Sequence, residues 1–328
     1  MTLGTRIGLG AAAVVLLMAA GALWYARAHP LSLYATMNRR ALGRAGLAET
    51  RVASPLGPQA FWSGGTGPTL VLLHGAGDAA GTYAKVVEKL TPNHRLVIPD
   101  LAGHGRSAPA EGPISVGDVI AGLEAVMAQG PQDRAILVGN SLGAWAALLY
   151  AHRHPGRVAR VVLVNGGALT GERQDISLIP RSREEAAALM TQLRDPSSGP
   201  VPGFLLDDVV RTAASGPLAR IAATASGMHE YVLDGRLQEV QAPVDLLWGA
   251  SDQLFPLTYA RRMMDALPAS RLTTIPACGH VPQQECPGRF ASALLEVLRM
   301  PAPQPASGAA GAERTTEAAG APPAGPGR

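Results

Sequence analysis

With 328 residues and an apolar share of 47%, the chain is long enough to bury a sizeable core in one large or two ordinary domains. Its formal net charge of +3, without a basic block in the body of the chain, argues against nucleic acid as a partner. Two cysteines, Cys278 and Cys286, are too few for a disulfide framework and have no zinc-ligand company. They read as two unpaired thiols, with a single bridge between them as the alternative, and no metal or organic cofactor is expected.

The first element is the uncharged run "IGLGAAAVVLLMAAGALWY", Ile7 to Tyr25, about as long as a bilayer core requires and edged by Trp24 and Tyr25. It reads as a membrane anchor within residues 1–30, with a signal peptide cut after "ARA" (Ala26 to Ala28) as the rival. Arg6 lies before it, and Arg27, Arg39, Arg40 and Arg44 after it, which favours the cytoplasmic face for the large domain. The juxtamembrane segment 31–50 includes "LYATMNRRALGRAGL", a candidate membrane-lying helix that weakens the charge argument.

From 51 to 300, short β-type runs alternate with helical patterns, the signature of a mostly parallel α/β sheet with helices on both faces. The strand candidates are "TLVLLHG", "RLVIPD", "AILVGN", "RVVLVNG", "VDLLWG" and "RLTTIP", and "ETRVAS" with "QAFWSG" can add an antiparallel edge hairpin. Helical patterns are "TYAKVVEKL", "VGDVIAGLEAVMA", "LGAWAALLYAHRH", "PLTYARRMMDAL" and "GRFASALLEVLR". Between about 168 and 241 there is no good strand, only helix-like pieces such as "SREEAAALMTQL" and "GFLLDDVVRTAA", so a helical insertion is expected there. Ligands of open α/β sheets bind beyond the carboxyl ends of the strands, where such an insertion would act as a lid. Residues 301–328 have almost no large apolar side chains and read as a disordered tail.

Chemistry gathers at the strand ends. In "GNSLG", Ser141 follows "AILVGN" in a turn where Gly139 and Gly143 relieve crowding and Asn140 precedes the hydroxyl. A serine needs a base, and His280 in "IPACGHVPQQECP" follows the last strand candidate. A histidine base needs a carboxylate, and Asp252 in "LLWGASDQLFP" follows another. His29, His94, His152, His154 and His229 have plainer explanations, and Asp100 reads as a turn former in "DLAGHGRS". Backbone N–H groups of Leu142 and of Ala76, in the loop His74, Gly75, Ala76, Gly77, are the candidate oxyanion donors.

In chain order these residues run Ser141, Asp252, His280, and the sequence resembles the α/β-hydrolase fold family from about Gln59 to Met300. The resemblance rests on "LLHGAG", "DLAGHGRS", "GNSLG", "WGASDQLFP" and "CGH", and implies a Ser-His-Asp triad. A narrower likeness, carried by the anchor, the insertion opening "SLIPRSREEAAALMTQL" and the ending "LWGASDQLFP…ACGH", is to membrane-associated monoacylglycerol lipases and related bacterial lipases. It implies a lid over an acyl pocket, with Leu189, Met190, Phe204, Leu205 and Leu206 as apolar candidates, and a membrane esterase of short to medium acyl esters or monoacylglycerols. Asn140 and Leu142 depart from the Thr or His and the Met that those lipases often carry. C–C bond hydrolases and cofactor-free haloperoxidases share the triad and stand as alternatives, as does a non-catalytic binding module. The glycines after "TLVLLHG" do not fit a dinucleotide fingerprint, no P-loop occurs, and nothing specifies an oligomer.

Overall fold

The computed structural model describes residues 3–130, 133–171, 177–304 and 315–317. The eight apolar or alternating runs become β1 (Ala48–Val52), β2 (Gln59–Gly64), β3 (Thr69–Leu73), β4 (Arg95–Pro99), β5 (Ala135–Asn140), β6 (Val158–Val164), β7 (Val244–Gly249) and β8 (Ser270–Ile275). A short β9 (Thr315–Glu317) adds beside β8, and the sheet order is β1-β2-β4-β3-β5-β6-β7-β8-β9. β1 and β2 form the expected antiparallel hairpin and β2 meets β4 antiparallel, while the remaining pairs are parallel.

The strands are apolar on both faces because both faces are covered. Side chains alternate between two cores. Leu70 and Leu72 of β3 join Val87, Leu90, Phe290 and Leu294, whereas Val71 and Leu73 join Leu123, Val126, Leu148 and Met263.

The helices in chain order are α1 (Leu3–Ala28), α2 (Pro30–Arg44), α3 (Val87–Leu90), α4 (Val116–Gln129), α5 (Leu142–Arg153), α6 (Arg183–Leu193), α7 (Gly203–Ala213), α8 (Pro217–Ala222), α9 (Leu257–Ala266), α10 (Pro282–Glu285) and α11 (Pro287–Arg299). α4 starts on a reciprocal cap: Ser115 Oγ accepts from Asp118 N–H at 3.0 Å and Asp118 Oδ2 accepts from Ser115 N–H at 2.8 Å.

"TYAKVVEKL" departs from the single helix its pattern predicts, forming a tight 3₁₀ turn, Ala80–Tyr83, and then the short α3. The turn is pinned before a longer helix can start. Ala80 N–H donates to Asp100 Oδ1 at 2.7 Å, and the Tyr83 hydroxyl donates to the β3 carbonyl of Leu73 at 2.8 Å.

Chain order reverses beside β3: the path runs outward from β3 to β4, then returns across β3 to β5. The carboxyl ends of β3 and β5 lie side by side there, with Leu73 opposite Gly139. Such a switch point opens a crevice for a ligand.

The interval after β6 carries α6, α7, α8 and two 3₁₀ turns, and no strand among its described residues. It is strapped to the body by Arg220, whose guanidinium donates to the carbonyls of Gly103, Pro109 and Gly112 at 2.9, 2.7 and 2.6 Å. A further strap runs from Trp145 Nε1 to the carbonyl of Tyr231 at 2.7 Å.

At the N-terminus, part of the expected span Ile7 to Tyr25 has side chains outside the described set. Among the described residues no single helix is long and apolar enough to cross a membrane. Val14–Ala28 and Pro30–Arg44 meet that requirement only as a pair, bent by 97°. Of the expected tail, 305–314 and 318–328 lie outside the described residues.

The expectation of two unpaired thiols is corrected. Cys278 and Cys286 form a disulfide, with Cα atoms 6.0 Å apart. Eight residues of spacing say nothing about pairing until the turn after β8 folds the chain back.

Candidate active site

Ser141 leaves β5 and enters α5 with φ 54° and ψ −116°, a backbone conformation that a side-chain-bearing residue rarely adopts. The turn is held from both sides. Ser141 N–H donates to the Val164 carbonyl at 3.0 Å, while its own carbonyl accepts from Ala144 and Trp145 N–H at 2.9 and 3.1 Å. Only glycines fit beside it: a Cβ at Gly139 would lie 2.2 Å from the Gly143 carbonyl oxygen, and one at Gly143 would lie 2.3 Å from that of Leu73. The half-buried serine therefore stands at the top of the sheet with α5 running away beneath it.

His280 and Asp252 arrive on the loops after β8 and β7. His280 Nδ1 is 2.9 Å from Asp252 Oδ2, with both residues only 4% exposed. The other carboxylate oxygen, Oδ1, accepts from Leu254 and Phe255 N–H at 2.9 and 3.0 Å, which fixes the carboxylate plane. With Nδ1 donating to that carboxylate, Nε2 is left as the basic nitrogen. The Phe255 ring stacks on the imidazole with centroids 5.8 Å apart.

Asn140 joins the histidine loop to the serine turn. Its Nδ2 donates to the carbonyls of His280 and Val164 at 2.9 and 3.1 Å, and its Oδ1 accepts from Gln283 Nε2 at 3.1 Å.

The loop after β3 passes over the serine, so that a Cβ at Gly75 would lie 3.2 Å from Ser141 Cβ. His74 braces this loop from below. Its Nε2 accepts from Leu101 N–H at 2.9 Å, so Nδ1 carries the proton and donates to the Gly75 carbonyl at 2.8 Å. Burial lowers its pKa from 6.5 to about 4, and the ring is neutral. Asp100 ties the same turn, accepting from Ala80 and Arg106 N–H at 2.7 and 2.8 Å, in keeping with a turn former.

Among the described residues, the N–H groups of Ala76 and Leu142 meet no protein acceptor. Gly77, at φ 80°, lies under the insertion, where an added Cβ would sit 3.1 Å from Leu218 Cδ1. The insertion thus reaches over the loop. Of its apolar candidates, Leu189 and Leu206 are buried, and Met190, Phe204 and Leu205 are partly exposed.

Asn165 and Gly166, just after β6, do not stand out in the sequence. Asn165, at φ 50°, donates from Nδ2 to the Gly279 carbonyl at 2.6 Å and accepts from Gly249 N–H at 2.8 Å, joining the ends of β6, β7 and the histidine loop. A Cβ at Gly166 would lie 2.6 Å from Ser141 Cα. The only local signal was "NGG", which spacing alone cannot tell from an ordinary turn. No cluster of three or more His, Cys, Asp or Glu side chains suited to a metal occurs among the described residues.

A strained serine between strand and helix, a histidine–carboxylate pair on the loops of β7 and β8, and this strand order are the marks of one class of enzyme, the α/β hydrolases. The family model described as Alpha/beta hydrolase family matches residues 70–293, and the chain belongs to that family. It is a hydrolase of that fold.

Among its relatives is a pimeloyl-[acyl-carrier protein] methyl ester esterase of Aromatoleum aromaticum, 32% identical over 71% of this chain and 98% of that protein. Another is a 2-hydroxy-6-oxononadienedioate/2-hydroxy-6-oxononatrienedioate hydrolase of Paraburkholderia phymatum, 29% identical over 70% of this chain and 86% of the relative. Among solved structures, a membrane phospholipase A described as a bacterial virulence factor superposes with a TM-score of 0.72. It is 27% identical and covers 90% of this chain and 98% of its own.

Proposed function

We propose that this hydrolase cleaves carboxylic esters, short to medium acyl esters or monoacylglycerols, at a membrane surface. The observation that carries the reading is the buried Asp252–His280 pair, roped through Asn140 to the turn that exposes Ser141. Ser141 Oγ attacks the ester carbonyl carbon while His280 Nε2 takes its proton, and Asp252 stabilises the imidazolium. The oxyanion is met by the Ala76 and Leu142 N–H groups, which have no competing acceptor among the described residues. Collapse breaks the C–O bond and His280 protonates the departing alcohol. Water, deprotonated by His280, then releases the carboxylic acid and restores the serine.

The membrane part rests on the N-terminus. Leu16, Leu17, Leu23 and Trp24 of α1 are each about 70% exposed, an apolar surface with no protein cover. α2, bent 97° from α1, exposes Leu33, Tyr34, Met37, Arg40 and Arg44 along one stripe, the pattern of a helix lying in an anionic interface. Similarity to the membrane phospholipase over 90% of this chain supports the same reading, and the insertion over Gly77 serves as the lid on the acyl pocket.

A fluorophosphonate probe should label the full-length protein at Ser141, and Ser141→Ala should lose on the order of 10³-fold or more in kcat on esters. Retained hydrolysis in that variant would remove Ser141 from the mechanism. The protein should pellet with membranes and stay there through a high-salt wash; recovery in the supernatant would refute the anchor. The Paraburkholderia relative supplies a second reading, C–C bond hydrolysis. An assay of 2-hydroxy-6-oxononatrienedioate beside an ester panel separates the two, since turnover of that trienedioate while the esters stay inert would favour the second.

A further inference from the structure

The catalytic histidine candidate sits inside a small covalent ring. The Cys278–Cys286 bridge closes the segment "CGHVPQQEC", with His280 two residues after one cysteine and Glu285 just before the other. Glu285 is folded back across that ring. Its Oε2 accepts from the N–H of Gly279, the neighbour of His280, at 2.6 Å. Its Oε1 accepts from Asp195 N–H and Ser198 Oγ, both at 2.7 Å, on the segment that leaves α6.

That segment touches the histidine loop directly, with His280 N–H donating to the Leu193 carbonyl at 2.8 Å. It also reaches the acid loop: the Asp195 carboxylate accepts from the hydroxyl of Ser251, the residue before Asp252. Ser251 N–H in turn donates to the Cys278 carbonyl at 3.0 Å. Two carboxylates, Glu285 and Asp195, and one disulfide therefore join the loop of His280, the loop of Asp252 and the root of the insertion.

We propose that the Cys278–Cys286 bridge and Glu285 form a clamp that positions His280 against Asp252, and that the catalytic domain works in an oxidising compartment where the bridge stays closed. The proposal rests on the role of His280 as the catalytic base. Neither the bridge nor Glu285 touches the reacting atoms, so both act through the histidine. Closing the bridge breaks two S–H bonds and forms one S–S bond. The two electrons and two protons pass to a disulfide-bearing thiol oxidoreductase, whose own disulfide becomes a dithiol. Bridges of this kind persist outside the reducing cytosol. The catalytic domain then lies on the opposite side of the membrane from the one the flanking arginines favour.

The test uses the full-length protein in its membranes. Acid quenching followed by maleimide labelling reads the thiols without any substrate. No label before reduction and two labels after it are expected; two labels at once would overturn the oxidising location.

For the clamp, kcat is measured per site titrated with fluorophosphonate. The oxidised protein is compared with protein reduced by a phosphine, with the variant Cys278→Ala/Cys286→Ala, and with Glu285→Gln and Glu285→Ala. Reduction, the double variant and Glu285→Ala should lower kcat per site by on the order of 10- to 100-fold with KM little changed, as misplacement of a catalytic group does. Glu285→Gln, which keeps one acceptor oxygen, should recover part of the loss. If the titratable fraction falls while kcat per surviving site stays the same, the bridge and Glu285 only stabilise the fold and the clamp is refuted. If the unmodified protein carries the closed bridge but neither labels nor hydrolyses esters, the ester-hydrolase function fails and the oxidising location stands.

Discussion

His74 and His104 lie buried side by side, ring centroids 5.1 Å apart, and burial brings their pKa values from 6.5 down to about 4 and about 3. An unfolded chain binds their protons at a higher pH than the folded one, so their contribution is complete above about 6.5 and is lost as pH falls toward 3–4. Asp78 acts in the opposite sense. Burial raises its pKa to about 6, so it adds stability as pH falls from about 6 to 3.8, and buried Asp100 is shifted in the same direction. The comparison that isolates one histidine is His104→Asn, whose urea midpoint should fall less steeply between pH 6.5 and 4 than that of the unmodified protein. Equal slopes would show that His104 is charged in the fold. Also at this scale, Gly166→Ala should displace the serine turn and lower kcat at least tenfold, because the new methyl meets Ser141 Cα at 2.6 Å. Unchanged fluorophosphonate labelling would contradict it. His74 was visible in the sequence because it adjoins its own loop, whereas Asn165 and Gly166 acquire a partner only when β6 lies beside β5.

Among the elements, α2 is held by a group outside it. Its Leu31 N–H donates to Asp208 Oδ2 of α7 at 2.9 Å, and Asp208, 2% exposed, also pairs with Arg211. Asp208 thus serves α2 as an N-terminal acceptor that its own sequence, opening on His29 and Pro30, does not supply. Nearby, the Arg27 guanidinium lies 5.3 Å from the centroid of the Phe204 ring. The far side of α2 reaches the 3₁₀ turn, where a Cβ at Gly81 would lie 3.0 Å from Asn38 Cβ. One helix therefore links α1, the insertion and the 3₁₀ turn that follows the loop over Ser141. Asp208→Ala should cost about 1–3 kcal/mol by orphaning that N–H, and should expose the α1–α2 junction to protease. An unaltered digestion pattern would show that α2 docks without it. The two helices were legible as a run of apolar residues and a basic amphipathic stretch. Their bend and docking were not, because both depend on a carboxylate some 180 residues away.

Across the whole molecule, the sheet is locked at the end opposite the site by one buried carboxylate. Asp245 of β7 accepts from Arg160 of β6 at 2.5 Å and from Arg271 of β8 at 2.5 and 3.0 Å, and Arg160 also donates to the Val297 and Met300 carbonyls at 2.8 and 3.0 Å. Asp245→Ala leaves guanidinium groups without their counter-charge and should destabilise by about 3–5 kcal/mol in urea unfolding. A loss below about 1 kcal/mol would make the network dispensable.

The sequence by itself determined the strand set, the serine turn and the candidates Asp252 and His280. These are written in short-range features: apolar runs sized for buried strands, glycines spaced around a tight turn, and polar residues directly after strand ends. Only the tertiary structure decided that Cys278 and Cys286 are bonded, that Glu285 reaches back to Gly279, and that Asn140 and Asn165 rope the loops together. Each of those contacts needs a chain reversal or a neighbouring strand, and composition and spacing carry no record of which strands become neighbours.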